Sequence, residues 1–169
     1  MKTAIRTICP MFNTYRMVEE YANRFYIPCC RRRQNLFVDN RNQVYKLADW
    51  KARVHQVWNQ VNIVQMASES TDNLIYGSDL TVTADVQLGE LRPEEVRVEV
   101  FHGPLDSRAQ LPIGLREAMH CVKELGNGLW RFQGAIPCQR TGQLGFTARV
   151  LPYHVDLFNE HEMMLIHWA

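Results

Sequence analysis

The stretch from Asp79 to Leu88, DLTVTADVQL, decides the fold class of this sequence. Apolar and polar side chains alternate along its whole length. Neighbouring side chains of a strand point to opposite faces of a sheet, so this pattern predicts a strand with one buried face. The predicted buried face comprises Leu80, Val82, Ala84, Val86 and Leu88, and the other face comprises Thr81, Thr83, Asp85 and Gln87.

Similar short stretches lie on both sides of this strand, and turn residues separate them. Gly126-Asn127-Gly128 is a strong hairpin signal, because these residue types tolerate the positive φ angles of tight turns. Seven strands with no helical pattern between them predict an antiparallel immunoglobulin-like β-sandwich over residues 61–169. The other predicted strands are VNIVQM (61–66), VRVEVFH (96–102), residues 118–125, LWRFQGAI (129–136), LGFTARVL (144–151) and EMMLIHW (162–168).

At the start of the chain, apolar residues recur at the spacing typical of helices and not of strands. We therefore expect an α+β protein, with a helical segment at residues 1–60 and a β domain at residues 61–169. The first helix, Thr3–Cys9, runs directly into Pro10, which ends it because proline has no amide hydrogen to donate. A helix with an apolar face and no lead-in favours a longer parent protein, with a short native N-terminal turn as the alternative.

Two amphipathic helices follow. Asn13 or Thr14 caps the first, which is predicted to run to Tyr26 and to end at Ile27-Pro28, and the second covers residues 41–60. Because helices alone cannot bury such wide apolar stripes, they need the β domain or an absent partner, and we expect the isolated chain to self-associate. The stripes are Val18, Tyr21, Ala22 and Phe25 in the first helix and Leu47, Trp50, Val54 and Val57 in the second.

Composition excludes several classes of protein. The chain is 46% hydrophobic and 22% charged, which argues against disorder, and its net charge of +1 gives no global field for nucleic acid or a membrane. No signal peptide is evident, and no apolar run approaches the roughly 18 residues of a membrane span. We therefore expect a soluble, cytoplasmic protein. Its five cysteines are predicted to be reduced thiols, with a Cys121–Cys138 bridge as the alternative.

Histidine spacing predicts no metal site. The two histidines closest in sequence, His161 and His167, are six residues apart, too far along one strand to share a tetrahedral site. His102 and His120 lie on different predicted strands and could approach one another, but the sequence suggests no third ligand. No phosphate-binding glycine loop and no nucleophile elbow are present either.

Other polar and aromatic residues have ordinary structural interpretations. Arg31–Arg33 is the only basic run, and it predicts a solvated loop or ion pairs with an absent acidic surface rather than a nucleic-acid arm. Glu19-Glu20 and Glu94-Glu95 are interpreted as solvated charge. Trp130 is predicted to lie in the core, and Trp168 to pin the last strand.

The opening segment contains a sequence pattern that is more specific than the spacing of its apolar residues. AIRTICPMFNTYRMVEEYANRFY (4–26) resembles the closing helices of the catalytic region of α-glucan phosphorylases, the glycogen, starch and maltodextrin phosphorylase family. The residues that carry this resemblance are Ile5, Ile8, Pro10, Phe12-Asn13-Thr14, Arg16-Met17-Val18, Glu20-Tyr21 and Tyr26.

The resemblance continues in order along nearly the whole chain. LADWKARVHQVW (47–58) looks like the next helix in the long bacterial and archaeal members of that family. LGELRPEEVRVEVFHGPLD (88–106) and GQLGFTARVLPYHVDLFNEHEMMLIHWA (142–169) look like the C-terminal β domain of the same members.

The resemblance implies an intact enzyme that cleaves α-1,4-glucans with inorganic phosphate. Such an enzyme releases glucose 1-phosphate with retention and uses the 5′-phosphate of pyridoxal phosphate as a proton relay. The family's cofactor lysine follows a serine-asparagine-methionine sequence, and none of Lys2, Lys46, Lys51 and Lys123 has that context. We therefore expect no catalytic, cofactor-binding or metal-ligating residue here, and an inactive structural segment packed on the remainder of the phosphorylase polypeptide.

Two other functions stay open at this point. One is a free-standing glucan-binding β-sandwich module, which would contact α-glucan without the rest of an enzyme. The other is a protein–protein interaction domain, and a homo-oligomer is compatible with any of these functions.

Overall fold

A computed structural model describes residues 2–38, 40–69 and 75–169. The chain divides into two compact units between Asp49 and Trp50. We call the first the helical unit and the second, Trp50–Ala169, the β unit, and describe each by itself. The predicted domain boundary between residues 60 and 61 stays a prediction.

The helical unit begins with α1, Lys2–Ile8, which ends ahead of Pro10 as predicted. Helix α2, Thr14–Tyr21, has Asn13 as its N-cap, and the Asn13 side-chain oxygen accepts a hydrogen bond from the backbone N–H of Arg16 at 2.8 Å. This contact satisfies one of the amide hydrogens that a helix start leaves unpaired.

The predicted helix end at Ile27-Pro28 is wrong. A π-helical turn, Ala22–Tyr26, leads directly into α3, Ile27–Leu36. Because Ile27 N–H donates to the carbonyl of Ala22 and Pro28 lies in the first turn of α3, the proline's missing amide hydrogen does not stop the chain. Arg31–Arg33 therefore lies on a helix and not in the predicted loop.

Helix α4 spans Asn42–Val57 and continues as a 3₁₀ turn, Trp58–Gln60. Trp50 of this helix belongs to the β unit. Its indole Nε1 donates a hydrogen bond to Glu95 Oε1 at 2.8 Å, and its ring contacts the His154 ring with centroids 4.9 Å apart. The predicted stripe of this helix is confirmed, because Leu47, Trp50, Val54 and Val57 are all buried.

The β unit contains seven antiparallel strands in the order β1-β2-β5-β4-β3-β6-β7. A 3₁₀ turn, Pro93–Glu95, precedes β3. The strands are β1 Asn62–Ser68, β2 Asp79–Gln87, β3 Val96–Pro104, β4 Leu115–Gly126, β5 Leu129–Pro137, β6 Leu144–Pro152 and β7 His167–Trp168.

The immunoglobulin-like sandwich is not confirmed, because β4 joins the strands into one continuous sheet. Its first part, Leu115–Met119, pairs with β3, and its second part, His120–Gly126, pairs with β5. Strand β1 also lies near β6 and β7. The sheet therefore curls almost into a barrel instead of forming two separate layers.

The core fills the inside of this curled sheet. The predicted buried face of β2 is confirmed, with Val82, Ala84 and Val86 at 0% exposure. The hairpin at Gly126-Asn127-Gly128 is also confirmed: Asn127 and Gly128 have φ angles of 54° and 74°, which the primed turns of tight hairpins require. Register then aligns the apolar positions of the paired strands on one face.

The last predicted strand is wrong except at its end. Only His167–Trp168 pairs with β6, and residues 161–164 form a turn in which Met164 N–H donates to the His161 carbonyl at 2.9 Å. Met163 is 4% exposed and Met164 is 92% exposed, with a φ of 53° at Met164. The local turn hydrogen bonds thus outweigh the apolar run that suggested a strand.

The five cysteines are free thiols, as predicted, and the alternative bridge is wrong. Cys121 lies opposite Phe132 in the ladder, and Cys138 is six residues beyond Phe132, directly after the end of β5. At ~3.3 Å per strand residue this separation is far beyond the Cα distance of a disulfide. Within the described ranges, no helix is long and apolar enough to cross a membrane.

Candidate functional site

The strongest charged cluster of the β unit lies on the outer face of β3 and β6. Glu99 and Arg149 are directly opposed in this ladder. Arg149 Nε and Nη2 donate to Glu99 Oε2 at 2.9 and 2.7 Å, and both side chains are only 9% exposed. Burial of two charges is tolerated because each compensates the other.

Glu160 joins the same cluster from the segment between β6 and β7. Its carboxylate pairs with Arg116, and it lies 3.7 Å from Arg97 Nη1 and 3.8 Å from Arg149 Nη2. Burial opposes its ionisation, but the hydrogen bond and charge of Arg116 outweigh that effect and lower the pKa of Glu160. These ion pairs hold the 153–166 segment against the sheet, which is a structural role.

Aromatic rings complete this attachment. The Arg97 guanidinium lies over the Tyr153 ring, 4.7 Å from its centroid, and the Arg149 guanidinium lies 5.6 Å from the Trp168 centroid. Trp168 also meets Phe101 edge to face at 5.8 Å. The prediction that Trp168 pins the last strand agrees with these contacts.

Among the residues that the structure describes, one buried side-chain polar atom lacks a hydrogen-bond partner. His102 is 5% exposed, and its Nε2 makes no hydrogen bond, although Glu117 Oε1 lies 4.0 Å away. Burial lowers the pKa of His102, and the Glu117 charge only partly opposes this effect. The residue also lines a cavity of about 330 Å³ together with Leu115, Leu144 and Arg140.

The two histidines that could have met do not lie side by side. His102 lies on β3, opposite Leu115 of β4. His120 lies on the second part of β4, where it is exposed and opposite Gln133 of β5. In the described part of the chain, no group of three histidine, cysteine, aspartate or glutamate side chains could hold a metal ion. The distance between His102 and Glu117 could not be foreseen, because it depends on the register of β3 and β4.

Of the paired glutamates, Glu95 departs from the predicted interpretation as solvated charge. Glu20 forms an exposed ion pair with Arg16 at 3.4 Å, which agrees with it. Glu95 does not: its carboxylate accepts hydrogen bonds from Trp50, Arg53 and the backbone N–H of Arg92. Burial opposes ionisation of Glu95, but these hydrogen bonds outweigh it and lower its pKa.

The helical unit presents an exposed aromatic face. Its stripe residues Val18, Tyr21 and Phe25 are 56%, 48% and 48% exposed. Tyr21 and Phe25 border a groove of about 500 Å³ together with Phe12 and Met17. This face coincides with the segment that resembles the phosphorylase helices most specifically.

The lysines do not fit a pyridoxal phosphate site. Lys51 Nζ is held by Glu162 Oε1 at 2.5 Å, and Lys2, Lys46 and Lys123 are exposed. None of the cavities described above is lined by a lysine. The described residues therefore place no amine beside these two cavities for the cofactor's aldehyde.

Comparison with known proteins agrees with the resemblance. The family model described as "Glycogen phosphorylase C-terminal domain" matches residues 58–169. A glycogen phosphorylase of Mycobacterium bovis is 29% identical over 98% of this chain and 19% of its own length. A maltodextrin phosphorylase of Thermococcus litoralis is 28% identical over 99% of this chain and 20% of its own length. The chain thus spans about a fifth of the length of these relatives. No solved structure gives a significant match.

Proposed function

Because the chain belongs to the glycogen phosphorylase C-terminal domain family, we propose that it is the C-terminal segment of an α-glucan phosphorylase with a structural or auxiliary role. The observation that carries this proposal is the coverage: the similarity extends over 98% of the chain, including the helices ahead of the family domain. The parent would convert α-1,4-glucan and inorganic phosphate to glucose 1-phosphate. Its active centre and pyridoxal phosphate would lie outside these 169 residues.

The partner of the helical unit would be the remainder of the phosphorylase polypeptide. The exposed stripe of Val18, Tyr21 and Phe25 supports this assignment, because a stable domain seldom leaves such a contiguous apolar face in water. Charge adds a requirement: residues 1–49 contain nine basic and four acidic residues. The surface that covers this face would therefore be apolar with an acidic rim.

The strand order also supports a finer fold assignment. β1-β2-β5-β4 and β3-β6-β7 repeat the strand orders of the two sheets of a constant-type immunoglobulin domain. We therefore propose a variant of that fold in which β4 bridges the two sheets, with the domain beginning near residue 61. Five free cysteines, four of them exposed, support a reducing cytoplasmic location.

A fusion experiment tests the proposed function. The Thermococcus litoralis maltodextrin phosphorylase would be truncated where its similarity to this chain begins and then fused to this chain. Release of glucose 1-phosphate from maltodextrin and phosphate would be measured for the chain, the truncated relative and the fusion. We expect activity only in the fusion. Activity of the isolated chain, or a fusion no more active than the truncated relative, would contradict the proposal.

Two matched substitutions sharpen this test. Val18→Asp places a charge on the exposed stripe of the helical unit, whereas Val155→Asp places the same charge at an 80% exposed position of the β unit. We expect Val18→Asp to lower the activity of the fusion at least about tenfold, because it buries a carboxylate at the proposed contact. Val155→Asp should leave it unchanged. Equal effects of the two substitutions would argue against the helical face as the contact.

The glucan-binding alternative has its own test. In a native gel that contains glycogen, the isolated chain should migrate as it does without the polysaccharide. Retardation that grows with glycogen concentration would favour a glucan-binding module over a purely structural segment.

A further inference from the structure

The inner face of the curled sheet is left open at one end of the β unit. Strands β3 and β5 end there at Pro104 and Pro137, and strands β4 and β6 begin there at Leu115 and Leu144. The cavity of about 330 Å³ that His102 lines lies among these four strand ends. We call it the end cavity.

The register places the walls of the end cavity on the core side of the sheet. Leu115 lies directly opposite His102 in the ladder of β3 with β4, and Leu144 lies opposite Pro104 in the ladder of β3 with β6. Directly opposed residues share a face of the sheet, and His102 lies on the same face of β3 as Val100, which is at 0% exposure. Leu115, by contrast, is 61% exposed. The core face therefore continues into the end cavity without side chains that fill it.

The lining of the end cavity combines aliphatic walls with one cation. Ile113 and Arg140 are both exposed, and the Arg140 guanidinium forms no ion pair with any residue that the structure describes. Glu117, whose carboxylate lies 4.0 Å from His102 Nε2, does not line the cavity. Because burial lowers the pKa of His102, its ring is neutral at pH 7. Among the described residues of the lining, Arg140 is therefore the one charge that a ligand would meet.

We propose that the end cavity binds an aliphatic monocarboxylate, with its chain between Leu115 and Leu144 and its carboxylate on the Arg140 guanidinium. His102 is 5% exposed whereas Arg140 is exposed, so the chain would point inward and the carboxylate would stay at the mouth. The planar guanidinium matches a carboxylate in charge and in geometry. The chain would cover apolar surface that Leu115 otherwise presents to water.

The size and the lining of the end cavity restrict the ligand further. At roughly 30 Å³ for each water-sized group, the cavity accommodates about ten non-hydrogen atoms, as many as octanoate has. Among the described residues that line it there is no phenylalanine, tyrosine or tryptophan, so a nucleobase or a sugar ring would find no large ring to stack on. An aliphatic chain is therefore favoured, and this inference does not depend on the proposed function.

NMR titration of the whole methyl-labelled chain with octanoate tests the proposal. We expect the methyl signals of Ile113, Leu115 and Leu144 to shift with octanoate concentration, while those of Val18 in the helical unit stay in place. Octanamide has the same number of non-hydrogen atoms without the charge, and it should bind at least about fivefold more weakly because it lacks the charge-assisted hydrogen bonds. Absence of binding, shifts confined to the helical unit, or equal affinity for the two compounds would overturn the proposal.

Two arginine substitutions locate the bound carboxylate. Arg140→Gln should weaken octanoate binding at least about fivefold and should change octanamide binding by less than about twofold. Arg108→Gln is the matched control, because Arg108 is exposed in the loop between β3 and β4 and does not line the end cavity. It should leave the affinity for both compounds unchanged. Equal effects of the two substitutions on octanoate binding would overturn the assignment of the carboxylate to Arg140.

A third substitution locates the chain of the ligand. Leu115→Trp places a larger side chain at an exposed position of the wall, so it should fill the end cavity and abolish the shifts caused by either compound. Ile113→Trp, at a 78% exposed position of the same lining, should act in the same way. Thermal unfolding without ligand shows that each variant is folded. Octanoate affinity that is unchanged in both folded tryptophan variants would place the ligand outside the end cavity and overturn the proposal.

Discussion

The helical unit and the β unit differ in the solvent exposure of their apolar side chains. From Lys2 to Lys46, no side chain that the structure describes is buried. In the β unit, Val54, Val82 and Val150 are at 0% exposure. The charges differ as well, since residues 50–169 carry ten basic and fourteen acidic residues against nine and four in the first 49. The β unit therefore has a core of its own, whereas the apolar residues of the helical unit are available to a partner.

Two phenylalanines give the largest expected contrast between the units. Phe132 is 3% exposed in the β unit, and Phe12 is 75% exposed in the helical unit. Phe132→Ala should lower the free energy of unfolding by about 3–5 kcal/mol, because it leaves a cavity in the core. Phe12→Ala should lower it by less than about 1 kcal/mol. Urea unfolding followed by circular dichroism measures both, and equal losses would break the comparison.

Two arginines on opposite parts of the sheet test how burial affects the contribution of an ion pair to the free energy of unfolding. Arg149→Met leaves Glu99 buried without its partner, and we expect a loss of about 3 kcal/mol in unfolding free energy. Arg131→Met removes the partner of Asp85, but the Arg131 side chain is 44% exposed, so its loss should be clearly smaller. Urea unfolding of the two variants checks this order. The reverse order would show that burial does not determine the strength of these pairs.

Glu95 should make the β unit sensitive to acid. Its folded pKa is lowered, so the unfolded chain takes up a proton first as the pH falls, and the stabilisation is lost below about pH 4.5. Glu95→Gln should cost about 1.5 kcal/mol at pH 7, and that difference should shrink toward zero as the pH falls through the folded pKa. Unfolding measured between neutral and acid pH tests this, with Glu94→Gln, an exposed neighbour, as the control.

Substitution of His102 should produce the smallest effect, and it should stabilise the β unit instead of destabilising it. Since burial lowers its folded pKa, the unfolded chain binds the proton more tightly, and the β unit loses stability as the pH falls below about 6.5. His102→Leu removes both this dependence and a buried atom without a hydrogen bond, so it should stabilise the β unit by about 1 kcal/mol. Thermal unfolding at pH 7 and pH 5 checks it. A less stable variant at both values would mean that His102 makes contacts the fold needs.

The elements that sequence predicted well are those fixed by short-range pattern. The alternation of β2, the stripe of α4 and the hairpin at Gly126-Asn127-Gly128 each depend on residues close in the chain. The wrong predictions lie where a local backbone conformation replaced the one that the apolar pattern indicated. At Pro28 a π-helical turn carried the helix onward, and at Met164 turn hydrogen bonds replaced most of a strand.

Features that depend on long-range register could not be read from the sequence. No pattern in residues 115–126 indicates that β4 changes its pairing partner after Met119. This change of partner is the reason that the strands form one continuous sheet and not two separate sheets. The neighbourhood of His102 and Glu117 has the same origin. Sequence did anticipate the exposed stripe of the helical unit, because its wide apolar face exceeded what neighbouring helices could cover.

The change of partner in β4 has a mechanical consequence. Strand β4 is held by two short ladders, with five residue pairs to β3 and five to β5, whereas the ladders of β2 with β5 and of β3 with β6 have nine each. A tensile load between β3 and β5 would therefore concentrate on the ladders of β4, and rupture of either would separate the curl into two ribbons. Single-molecule stretching through β3 and β5 would register the ladders of β4 as the first to break along this path.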